Sequence, residues 1–240
     1  MQWTNFPIFS SSNFPVEFEA KEAPAGILLV NKPLGWTSFD VVKYVRTRIQ
    51  RKKVGHAGTL DPMADGLLVL CFGKATKSID QIQSQTKEYI AKIKFGGSTP
   101  SYDAETPVDQ HARYHHITKE DIEQKLSSEF TGEIQQIPPM YSALKRNGKK
   151  LYELAREGKT VKLDPRPVHI YSTNINSFVG DTLDLSISCS KGTYIRSIAH
   201  DLGIALNSRA HLSGLTRCKI GNFEANKAID IRVFDSLVKQ

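Results

Sequence analysis

The segment Val54-Gly55-His56-Ala57-Gly58-Thr59-Leu60-Asp61-Pro62-Met63-Ala64-Asp65-Gly66 places an imidazole five residues before a carboxylate, in a loop with three glycines. Glycine lets backbone approach a ligand closely, and Pro62 biases Asp61 away from helical geometry. Such a loop could present Asp61 as an ionised oxygen for nucleophilic attack or proton transfer. The apolar run Leu67-Leu68-Val69-Leu70-Cys71-Phe72 follows at once and reads as a buried strand that would anchor the loop. An Asp-Pro pair is also an ordinary turn, because both residues favour turns for reasons that involve no chemistry.

A second stretch, Cys189-Ser190-Lys191-Gly192-Thr193-Tyr194-Ile195-Arg196-Ser197, carries an aromatic ring and a guanidinium. If the chain is still extended there, Tyr194 and Arg196 share one face, Ile195 takes the other, and Ser197 caps the helix that follows. Arg196 would then be available to pair with Asp61 and keep it ionised. The plain alternative is a strand end with an exposed tyrosine and a surface arginine. Asp65 beside Asp61 raises a paired-carboxylate hydrolase, although Asp65-Gly66 reads better as turn chemistry.

The 32 Lys and Arg against 25 Asp and Glu leave a net charge of +7, which favours a polyanionic partner without requiring one. Arg46, Arg48, Arg51, Lys52 and Lys53 run straight into the Gly55 loop and suit either phosphate contact or a solvated helix face. A non-enzymatic RNA-binding or RNA-folding protein would need these cations but not Asp61. Apolar content of 40% and charged content of 24% fit a soluble globular chain, and no stretch reaches transmembrane length. Cys71, Cys189 and Cys218 are odd in number and widely separated, as expected of reduced thiols in a cytoplasmic protein. His111 and His115 share a helical spacing with no third ligand nearby, so no metal is expected.

The elements that must position these groups are legible as an α+β domain. Residues 1–25 read as an N-terminal tail and residues 26–240 as the catalytic domain. Ile27 to Val30 reads as a strand, followed by a helix capped by Thr37 or Ser38 with Val41, Val42, Val45 and Ile49 on one face. Tyr89 to Phe95 and Leu183 to Cys189 alternate as half-buried strands. Thr118 caps a helix from about Lys119 to Phe130, Asn147-Gly148 signals a turn, and helical spacing returns from Ile198 to Leu206.

Five stretches resemble, in order, the motifs of the bacterial tRNA pseudouridine-55 synthase family. They are Asn31 to Gly35, Gly55 to Gly66, Lys87 to Tyr89, Pro139 to Lys145, and Ser190 to Arg196. The resemblance implies a pseudouridine synthase fold, a mixed and mostly antiparallel sheet flanked by helices with a central catalytic cleft. It implies an isomerase that needs no cofactor or metal and flips out one uridine of the tRNA T loop. The enzyme would break the C1′–N1 bond, rotate the base and rejoin it through C5. By the same resemblance Asp61 is the catalytic aspartate and Arg196 its partner. Tyr89 stacks on the target base and is a candidate for removing its C5 proton, and Tyr194 is a second pocket tyrosine. His56 helps displace the uridine, while Lys32 and Leu215 support the pocket. Whether the carboxylate attacks C1′, adds to C6 or takes the 2′ proton stays open. A monomer is expected, and the 17 residues after Phe223 are too few for the C-terminal RNA-binding domain that many family members carry.

Overall fold

The computed structural model describes residues 2–14, 24–146 and 148–237, which form two compact units. The first comprises residues up to Tyr89 together with those from Thr216 onward, and the second comprises Ile90 to Leu215.

The first unit is built on the Ala64–Phe72 strand, whose central residues are apolar without interruption because both of its faces are covered. Leu68, Leu70 and Phe72 face a core made with Val41, Val42 and Val45 of the Ser38–Arg48 helix and Ile49 at its C-terminal cap, closed by Ile229, Ile231 and Phe234. Leu67, Val69 and Cys71 face the other way, onto Ala75, Ile82, Ile220 and Phe223. The Gly26–Lys32 strand lies antiparallel beside it, from Gly26 opposite Phe72 to Lys32 opposite Gly66. Burial of each such Leu or Ile stabilises the fold by about 1.5–3 kcal/mol. Residues 2–14, read from the sequence as part of a tail, instead add the Ile8–Phe9 strand in parallel to Gly26–Lys32. Phe9 packs on one core, and Trp3, Phe6 and Ile8 pack on the other.

Alternation fixes a strand's register only when its two faces differ. Here both are apolar, so a slip by one residue must be prevented elsewhere. Gly66 supplies one such lock, with φ +96° and a backbone so close to Arg217 that a β-carbon would lie 2.5 Å from the Arg217 carbonyl oxygen. Asp65-Gly66 therefore belongs to a strand, which corrects its reading as a turn.

In the second unit the Arg166–Val179 strand pairs with Thr182–Cys189 across Gly180, and with Gly132–Gln136 on its other edge. Leu183, Leu185, Ile187 and Cys189 are buried in alternation as expected. The Lys119–Glu129 helix begins in a reciprocal capping box between Thr118 and Asp121. Lys149 pairs with Arg146 around the turn whose Asn147 lies outside the described residues. Among the described residues, no helix is long and apolar enough to cross a membrane.

Gly66→Ala should lower stability by about 2–5 kcal/mol, combining a strained positive φ with backbone overlap. Urea unfolding followed by circular dichroism measures this, and a loss under about 0.5 kcal/mol, the scale of an ordinary surface change, would contradict the lock.

Candidate active site

Asp61 opens a tight turn in which the Ala64 amide donates to the Asp61 carbonyl at 3.1 Å and Pro62 holds the second position. The turn reading and the site reading of Asp61-Pro62 are thus compatible. Both neighbours of Asp61 are tied down. The Ser38 hydroxyl accepts from the Leu60 amide at 2.8 Å and donates to the Leu60 carbonyl at 3.1 Å, and the Gly35 amide donates to the Pro62 carbonyl at 2.8 Å. Ser38 can do so because the cap of its helix is Thr37, which forms a reciprocal capping box with Asp40. The segment Lys32 to Ser38 is therefore a brace for the Asp61 turn.

Lys32, fully buried, donates its ammonium to the Pro33 carbonyl at 2.8 Å and to the Trp36 carbonyl at 2.6 Å. Burial brings its pKa down to about 8, although Asp65 and Asp61 oppose the shift by favouring the charged form. Asp65 accepts the Thr216 hydroxyl at 2.6 Å.

The residue that sequence reasoning missed is Arg217, 1% exposed in the Ala210–Ile220 strand. Its guanidinium donates to the carbonyls of Leu67 (2.8 Å), Thr59 (3.3 Å) and Gly58 (3.1 Å). Burial lowers its pKa, while the Tyr89 hydroxyl, hydrogen-bonded to it, and the Asp61 carboxylate act the other way. His56 is pushed below the usual imidazole range by burial and then by Arg217, so it is neutral at pH 7. In the first unit, then, Asp61, Tyr89, His56, Lys32 and Asp65 share one electrostatic neighbourhood with Arg217. A carboxylate that shares its surroundings with two buried cations and an aromatic ring is an arrangement suited to an oriented oxygen beside a stacked base.

The second unit positions the other expected residues. The chain turns at Gly192 (φ +83°), and the Gln136 side chain grips the Tyr194 backbone, accepting from its amide at 2.7 Å and donating to its carbonyl at 3.0 Å. The helix accordingly starts at Ile195, with Tyr194 at its cap position. Arg196 and Ser197 lie inside the first turn, which corrects the expectation of an extended Tyr194-Ile195-Arg196 with Ser197 as cap. Arg196 is 3% exposed. It donates to the Ser101 carbonyl at 3.1 Å and lies 3.4 Å from the Asp103 carboxylate, itself fully buried and bonded by the Ser101 hydroxyl and the Glu105 amide. Leu215 is half-buried in the Ala210–Ile220 strand.

The basic run is not uniform. Arg48 forms a two-bonded ion pair with Asp235 and lies 3.3 Å over the Tyr44 ring, so its charge is already met, and only the rest of the run keeps the phosphate reading. Among the described residues, no three or more His, Cys, Asp or Glu side chains gather to hold a metal ion. His111 is exposed, and His115 lies against Tyr114. Cys71 is buried, which raises its thiol to about 12, far from any reactive thiolate.

Between pH 8 and 10.5 the unfolded chain carries a proton on Lys32 that the folded chain has lost, so this side chain's contribution to stability rises with pH across that window. Below it both states are protonated and the contribution is flat. Lys32→Met removes the effect. Urea unfolding near either end of the window should show wild type gaining on the variant at high pH, and a constant gap would contradict the buried ammonium.

Residues 46–195 match the family model described as TruB family pseudouridylate synthase (N terminal domain). A tRNA pseudouridine synthase B from Bacteroides fragilis is 45% identical over 89% of this chain and 94% of its own length. One of the same name from Dechloromonas aromatica is 47% identical over 88% of this chain and 70% of its own. Among solved structures, a chain of a Cbf5-Nop10-Gar1 complex superposes with a TM-score of 0.67 at 27% identity, covering 97% of this chain and 59% of that one. With the motifs in order, the carboxylate loop built and relatives matched over most of their length, the chain belongs to the TruB family of pseudouridylate synthases.

Proposed function

We propose that this enzyme is a tRNA pseudouridine-55 synthase, converting one flipped-out uridine of the T loop to pseudouridine. The observation that carries the reading is the Asp61 turn, braced on both sides and set beside the buried cations Lys32 and Arg217. The names of the relatives supply the substrate class.

The reaction breaks C1′–N1 and makes C1′–C5, and the proton lost from C5 is matched by one taken up at N1, so product and substrate are isomers. An ionised, oriented carboxylate serves each open route, by attack at C1′, by addition to C6 or by taking the 2′ proton. Tyr89 stacks beneath the detached uracil and keeps it from diffusing away, an interaction worth about 1–3 kcal/mol per base. Neutral His56 displaces the uridine from the loop without adding charge to the pocket. Tyr194, Arg196 and Leu215 take the roles of pocket tyrosine, guanidinium partner and pocket support. Cationic side chains from Arg46 to Lys53, Arg48 excepted, and at Lys145, Arg146, Lys149 and Lys150 contact tRNA phosphates. A monomer acting in the cytoplasm completes the reading.

Asp61→Asn should lower tritium release from C5-labelled tRNA by at least about 100-fold while tRNA binding stays within a few-fold of wild type. Near-normal release by the variant would remove Asp61 from the chemistry. Uridine left unchanged by the wild type would favour an RNA-folding protein instead.

A further inference from the structure

Arg217 donates to three backbone carbonyls: those of Gly58 and Thr59, just before Asp61, and that of Leu67, just after the turn. Buried arginines more commonly meet a carboxylate with two parallel bonds. This fork is instead matched to the two limbs of the loop that carries Asp61, and the loop is shaped to receive it. Gly58 has φ +105°, a backbone conformation that residues with a β-carbon rarely adopt, and it lets the chain turn its carbonyl to the guanidinium. Gly66 lets the Arg217 backbone come against the second limb. The Tyr89 hydroxyl meets the same guanidinium.

We infer that Arg217 is a positioning residue for the reaction: its fork locks the Gly58–Asp61 segment and the Tyr89 hydroxyl into one geometry, so that carboxylate and ring address the same nucleotide. The inference rests on the proposed uridine chemistry. Lysine keeps the charge but is a point donor, and it cannot span three carbonyls and a phenol in the directions of a planar fork. A misplacement of about 1 Å at reacting atoms costs roughly 100-fold in rate. The loss should therefore fall on the chemical step and leave binding intact.

Single-turnover tritium release, with enzyme in excess over C5-labelled tRNA, and filter binding are measured on wild type and Arg217→Lys. The expected result is a rate lower by about 100-fold with binding within about threefold. In a Tyr89→Phe background the same substitution should cost less, because the hydroxyl it positions is gone. An Arg217→Lys rate within threefold of wild type, a parallel loss of binding, or equal cost in both backgrounds would overturn the inference. No release by wild type would instead overturn the proposed function. If Arg217→Lys does not fold, nitrogen-labelled arginine in wild type supplies the test. One exchange-protected guanidinium signal should shift on both Asp61→Asn and Tyr89→Phe, and no signal responding to either would overturn the inference.

Discussion

A guanidinium and an ammonium buried beside one loop constrain everything around them. An unpaired buried charge costs several kcal/mol, so each must be met by oxygen atoms, and most of those oxygens are backbone carbonyls. Arg217 takes the carbonyls of Gly58, Thr59 and Leu67, and Lys32 takes those of Pro33 and Trp36. The path of the chain from Lys32 to Trp36 and from Gly58 to Leu67 is thereby set by the solvation of two cations. The anions Asp61 and Asp65 share that neighbourhood and offset the positive charge. The carboxylate is held ready by the same interactions that make the cations tolerable inside the protein.

This explains why the motifs that resemble the family are spread along the chain. Asn31 to Gly35 provides the buried ammonium and the brace at Pro62, Gly55 to Gly66 provides the carboxylate, and Lys87 to Tyr89 provides the ring. Each is short because it solves one local problem, and the two cores on either side of the Ala64–Phe72 strand keep the solutions in place. In the second unit the same economy recurs on a smaller scale. Asp103 sits beside Arg196, and Gln136 sets the start of the helix that carries it.

Legibility followed the physics. The Ser38–Arg48 and Lys119–Glu129 helices could be read because caps and apolar spacing agree, and the Thr182–Cys189 strand because alternation is clean. The Arg166–Val179 strand escaped notice because it is polar on much of both faces and interrupted by two register shifts. The N-terminal residues looked like a tail because aromatic side chains separated by polar ones carry no period, yet Trp3 packs at a tilt on Phe223 and Phe9 stacks on Phe72. Asp61 announced itself through its glycine-rich surroundings. Arg217 did not, since an arginine in the strand Thr216-Arg217-Cys218-Lys219 looks like any exposed basic residue. Only its burial shows that its partners lie 150 residues and more away in sequence. The extended reading of Tyr194 to Arg196 failed because a single glutamine contact ends the loop sooner than spacing suggests.

The most direct test of the account is to map pseudouridine in bulk tRNA from cells lacking this protein, complemented with wild type or with Asp61→Asn. The account predicts that the modification disappears from the T loop alone, returns with wild type and does not return with the variant. Retention of T-loop pseudouridine in the deletion strain, or its restoration by Asp61→Asn, would contradict it.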